Sequence, residues 1–141
     1  MKLARKIVKL SWTEKALLAE AIGVLAGVRL GLSLFSFQRT ARWIVRLPAR
    51  SDSAGSGFPA AVALATRRAS RVVPGATCLV QALTARTLLQ RRGLRSNLRI
   101  GVARSPDDGF GAHAWLEFAG TTLIGEHSGP YTVINSGNEF S

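Results

Sequence analysis

The hydrophobic period of this chain changes at Gly93, and that change limits the folds open to it. From Ser11 to Arg92 apolar residues recur three and four apart, as on amphipathic helices; from Ser96 onward they alternate with polar residues, as on strands. Helices that precede a run of closely spaced strands, with no helix between the strands, exclude a parallel sheet built by crossovers. They imply an α+β fold in which helices pack on an antiparallel meander.

Local signals divide the two halves. Ser11-Trp12-Thr13-Glu14 has the spacing of a capping box and predicts a helix from there to about Phe37. Inside it Gly23, Gly27 and Gly31 recur every four residues. Each weakens a helix, so together they predict a close helix contact on one face. Residues 38–47 read as a short basic helix ending before Pro48, and 50–59 as a Ser/Gly/Asp-rich loop. A helix over 60–73 is closed by Pro74-Gly75. Another spans 78–92, with Leu79, Leu83 and Leu89 on or beside a buried face and Gly93 at its C-terminal end. Strands are expected over 96–104, 111–118, 121–126 and 131–134. Ser105 to Gly109 and Ala119-Gly120 supply the first two turns.

At 141 residues, 47% of them hydrophobic, the chain suits one domain with its own core over 1–141. Cys78 is its only cysteine, so no internal disulfide forms. His113 and His127 are too few for a usual zinc site, and no metal or other cofactor is expected. The net charge of +11 is uneven. Residues 1–50 hold ten Lys/Arg against Glu14 and Glu20, a balance of +8. The basic residues are not interleaved with aromatics as in single-strand binders, so nucleic acid is not expected. Lys15 and Glu20 interrupt a would-be signal peptide, and Glu20 and Arg29 interrupt a spanning helix. The basic N-terminal helices are instead expected to lie on a membrane surface or against a partner, in a cytoplasmic protein.

Cys78 stands at the predicted start of a helix, where free amides and a partial positive charge favour a thiolate and can hold an oxyanion. The bland alternative is a small buried residue. On the strand over 111–118, His113, Trp115 and Glu117 share one face, while Ala112, Ala114, Leu116 and Phe118 share the other. The bland alternative for His113 is a half-buried histidine satisfied by a backbone carbonyl. With Ala119-Gly120 as a two-residue turn, Phe118 opposes Thr121 and His113 falls opposite Glu126, close enough for a carboxylate to orient the imidazole. A one-residue slip would turn Glu126 away and bring His127 round. Trp115 either shields the histidine and its acid, walls a substrate cleft, or packs as core. Glu117 reads first as structural.

A Cys at a helix start, a His on a following strand and an acid one strand later stand in the order found in the papain and transglutaminase-like fold. More narrowly, Cys78-Leu79 and its Leu-rich helix, Arg91-Arg92-Gly93, Ile100-Gly101-Val102, His113-Ala114-Trp115-Leu116-Glu117 and Gly120 resemble the lasso-peptide leader peptidases, small transglutaminase-like cysteine peptidases. The motif-bearing resemblance runs from Cys78 to Glu126. It implies a peptidase core over 60–135 preceded by a basic helical region over 1–47. It also implies removal of the leader from a ribosomally made precursor peptide, with Cys78 as nucleophile and His113 as general base. A leader-recognition protein and a separate lasso cyclase are the partners it implies. The family's third residue is usually an Asp shortly after the His. This chain has no Asp after Asp108, which makes Glu126 the nearest acid and leaves Asn135 and Glu139 open.

Two other readings stand beside this one. In the first, the basic helices bind a membrane, nucleic acid or protein and Cys78 is inert. In the second, the Cys–His pair transfers an acyl group to an amine; the acyl-enzyme is the same and only the acceptor differs.

Overall fold

A computed structural model of the protein describes residues 5, 10–49, 55–105, 109–125 and 132–133. Among these, four helices precede four antiparallel strands, as the change of period requires. The helices are α1 (Trp12–Leu34), α2 (Phe37–Val45), α3 (Phe58–Val72) and α4 (Cys78–Gln90). The strands are β1 (Asn97–Ser105), β2 (Gly109–Phe118), β3 (Thr121–Ile124) and β4 (Thr132–Val133). The sheet order is β3-β2-β1-β4, so β2 and β1 are its central strands.

The capping box forms at α1. The Ser11 hydroxyl accepts from the Glu14 amide at 3.3 Å, and the Glu14 carboxylate accepts from the Ser11 amide at 2.8 Å. That amide, and then the hydroxyl, hold the Glu14 carboxyl below its ordinary pKa. The helix stops at Leu34 rather than Phe37. Phe35 turns extended, and Ser36 caps a new helix by accepting from the Arg39 amide at 3.4 Å. A serine poised to cap outcompetes one more turn of α1.

The glycine expectation holds at one position of three. A Cβ on Gly31 would stand 3.0 Å from Thr40 of α2, so this glycine sets the α1–α2 approach. A Cβ on Gly23 or Gly27 would meet nothing within 4 Å, and both face outward. The side of α1 that packs is instead the row of Leu17, Leu18, Ala21, Leu25 and Val28.

These residues join Val62 and Ala69 of α3 and Val80, Leu83, Leu88 and Leu89 of α4 in one core, closed below by Leu98, Leu116 and Ile124 of the sheet. α1 is long and apolar enough to cross a membrane by composition. Its inner row is nonetheless the centre of this core, and extracting it would expose that core to water. One ion-pair cluster ties the ends of the layer together: Glu20 of α1 meets Arg91 at 2.7 Å and Arg92 at 2.8 Å, and the Arg92 guanidinium lies 4.6 Å from the centre of the Phe58 ring.

The turn at Ala119-Gly120 forms as expected, both residues having positive φ, as a type I′ hairpin turn requires. Phe118 pairs with Thr121 and Glu117 with Thr122. The register then shifts by one, so that Leu116 pairs with Ile124. Leu123 is the extra residue. This bulge buries Ile124 against Leu116, and the Leu123 carbonyl accepts from the Arg67 guanidinium of α3 at 3.3 Å. The expected opposition of His113 and Glu126 rested on an unbroken register, which this sheet does not have.

Candidate active site

Three contacts fix the approach to Cys78. Thr77 caps α4, its hydroxyl accepting from the Val80 amide at 3.4 Å. The Gln81 side chain donates to the Ala76 carbonyl at 3.0 Å, and Gly75 turns the chain with φ +75° against the Arg29 guanidinium. Cys78 is the first residue of the helix and half-buried, and its thiol is free. The amides of Cys78 and Leu79 sit in the first turn, where no carbonyl of the helix can reach them. They are backbone donors beside the sulfur, of the kind that can hold an oxyanion.

His113 lies mid-strand on β2, opposite Gly101 of β1. Because Leu116 belongs to the core under the helices, strand alternation turns His113, Trp115 and Glu117 to the other face. The imidazole Nε2 lies 2.8 Å from the carbonyl oxygen of Gly125. A carbonyl only accepts, so Nε2 carries the proton in this bond; in the neutral ring the acceptor nitrogen is then Nδ1. The ring of Trp115 stacks on His113, with centroids 6.1 Å apart and planes 20° apart.

Trp115 is itself held. Its indole N–H donates to Glu117 Oε1 at 3.1 Å, and Glu117 pairs with Arg99 of β1 at 3.3 Å. Glu117 thus has the structural part expected of it. At 4% exposure Trp115 offers a substrate little surface, and what its position provides is a cover over the imidazole.

Sequence reasoning missed Gly125. Its φ is +83°, and a Cβ there would fall 2.6 Å from the Ala114 carbonyl and 3.0 Å from Trp115. Only glycine brings its carbonyl this close to β2 and on to His113. The signal available was a Gly directly after a strand that starts opposite His113's own strand. Gly125→Ala is expected to lower the melting temperature by several degrees, because it costs about 1–2 kcal/mol of backbone strain before any clash. It should also loosen His113. Thermal denaturation followed by circular dichroism checks the first, and the chemical shifts of the His113 ring the second.

The structure therefore gathers His113, Trp115, Glu117 and the Gly125 carbonyl on one face of the sheet. Cys78 stands at the head of α4, which packs on β2. The Cys78 thiol makes no hydrogen bond with a described residue, and His113 is on the face of β2 turned away from the core that α4 packs, so among the described residues the structure does not bring Cys78 and His113 together. Glu126, His127, Asn135 and Glu139 lie outside the described residues.

No match was found among curated proteins or among solved structures. Residues 22–136 match the family model described as the Transglutaminase-like superfamily. That span takes in the half-buried cysteine at a helix start, the strand histidine whose tautomer is set by its neighbour, and the α+β core that carries both. In general such domains are Cys-His-Asp enzymes, peptidases or acyl transferases. By this match the chain belongs to the transglutaminase-like superfamily.

Proposed function

We propose that this protein is a cysteine peptidase that removes the leader from a ribosomally made lasso precursor peptide. The observation that carries the catalytic reading is the hydrogen bond from His113 to the Gly125 carbonyl, which leaves Nδ1 of the imidazole as the base. Within a transglutaminase-like domain whose cysteine heads a helix, that is the tautomer a Cys–His pair uses. The narrower reading, leader removal, is supported by the Cys-Leu helix and the His-Ala-Trp-Leu-Glu strand quoted above.

In the proposed reaction Nδ1 of His113 takes the thiol proton of Cys78, and the sulfur attacks the carbonyl carbon at the junction of leader and core. The oxyanion is held by the amides at the start of α4. As the C–N bond breaks, the imidazolium returns the proton to the departing amine of the core peptide. The leader remains on Cys78 as a thioester. Water, deprotonated by His113, then releases the leader acid and the free thiol. The core leaves with a free α-amine, the group a ring-closing cyclase would acylate. Trp115 limits water at the imidazole, the Gly125 carbonyl supports the imidazolium through Nε2, and Glu126 remains the candidate acid that the sequence offers. A separate leader-recognition protein would present the substrate.

The test is to incubate the protein, with its leader-recognition protein, with precursor peptide and to follow the masses of leader and core. Free leader and an intact core are expected. Glu126→Gln is expected to reduce the rate less than His113→Ala, because the Gly125 carbonyl already holds the tautomer. A leader joined to an added amine in preference to water would favour acyl transfer instead.

A further inference from the structure

The outward side of α1 is unusual for a helix of a folded domain. Trp12, Ala19, Gly23, Ala26, Leu30 and Leu34 follow one another down it at helical spacing and are all exposed; Trp12 is 83%, Leu30 59% and Leu34 65% accessible. Of the charged residues of the helix, Lys15, Glu20 and Arg29 fall to either side of this row and Glu14 lies on the far side. None of the described elements covers it. At its C-terminal end Leu34 leads into Phe35, whose ring meets that of Trp43 of α2 at 5.2 Å. Trp43 is 60% exposed. Arg39, Arg42 and Arg46 stand around the two rings and with them line a shallow cavity of about 300 Å³. The sequence has no acidic residue between Glu20 and Asp52, so these three guanidiniums form a local excess of positive charge.

A long uncharged face that ends in exposed aromatic rings within a fan of arginines has the chemistry of a helix lying in a membrane interface. Apolar side chains enter the acyl boundary, tryptophan settles at headgroup depth, and arginines meet lipid phosphates. We propose that α1 and α2 dock this protein on an anionic lipid bilayer, with Phe35 and Trp43 inserted and Arg39, Arg42 and Arg46 on the phosphates. Charge complementarity selects this occupant: a neutral apolar partner would leave three clustered guanidiniums unmatched. α1 keeps its inner row in the core and lies along the bilayer without crossing it. The docking surface is separate from Cys78 and His113 and does not depend on their roles.

Co-sedimentation of the full chain with vesicles of phosphatidylcholine, with and without phosphatidylglycerol, tests this. The protein is expected to pellet with anionic vesicles, to stay in solution with neutral ones, and to be released by salt. Replacing Arg39, Arg42 and Arg46 together by Gln should weaken partitioning about a hundredfold, and Trp43→Ala on the order of tenfold. All four side chains are on the surface, so the helical circular dichroism spectrum should persist. If the triple variant lost it, Trp43→Ala alone would decide. No binding to anionic vesicles, equal binding to neutral ones, or undiminished binding of a folded variant would overturn the proposal. So would capture of an acidic peptide by this cleft with no vesicle binding, which would assign the surface to a protein partner.

Discussion

Cys78→Ala is expected to abolish cleavage of the precursor, a loss of at least about 10⁴-fold, with the fold intact. The thiol is half-buried and makes no hydrogen bond with a described residue, so its removal leaves no orphaned partner and only a small void. His113→Ala should cost nearly as much. The double variant should be no worse than either single one, because a nucleophile without its base and a base without its nucleophile are both idle. His113→Ala differs in its structural effect: it frees the Gly125 carbonyl and uncovers one side of Trp115, so a modest fall in melting temperature should accompany it. Single-turnover cleavage read by mass spectrometry measures the rates, and thermal denaturation separates lost chemistry from lost fold. Full activity in Cys78→Ala would end the peptidase reading.

The largest effect on stability is expected at Glu20. Its carboxylate, 9% exposed, lies between Arg91 and Arg92, and the Arg92 side chain is only 6% exposed. Breaking such a cluster from one side leaves buried positive charge without its counterion, which costs about 3–5 kcal/mol for a fully buried pair; Arg91 is partly solvated, so about 3 kcal/mol is expected for Glu20→Gln. The loss has a second consequence. Arg91 also donates to the Pro48 carbonyl at 3.1 Å, so the cluster joins α1, the segment after α2 and the end of α4. Replacing Arg92 with Met in the Glu20→Gln background should recover part of the loss, since Phe58 and the neighbouring core accept an apolar chain. Chemical denaturation of the two variants and their combination measures this coupling. Additive losses would show that the pair is not a unit.

Most of the fold was legible because its local signals agree. The capping box at Ser11, the glycine at 93 and the Ala119-Gly120 turn each act through backbone groups only a few residues apart, and all three formed. What was not legible depended on competition at longer range. Gly23 and Gly27 look like Gly31 in sequence, but only Gly31 meets another helix, because Ser36 starts α2 at a point that brings Thr40 back against α1. The register of β2 and β3 was legible for two pairs. Beyond them the core claimed Ile124, and a bulge at Leu123 was needed to bury it.

The same bulge bears on the site. Cys78, His113 and Trp115 were singled out by residue type and strand alternation, which a bulge in the neighbouring strand does not disturb. For His113 a backbone carbonyl stood beside an acid as the plain alternative, but a carbonyl carries no residue-type signal that says which residue supplies it. Gly125 was visible only as a glycine, and its meaning comes from the closeness of β2.

The rate at which iodoacetamide alkylates Cys78 at neutral pH, in the wild-type protein and in His113→Ala, tests most directly whether the two residues act together. Mass spectrometry reports the single modified cysteine. Alkylation should be slowed at least about tenfold by His113→Ala, because in the proposed mechanism the imidazole takes the thiol proton. Equal rates in the two proteins, with the fold of both intact, would contradict a Cys78–His113 pair.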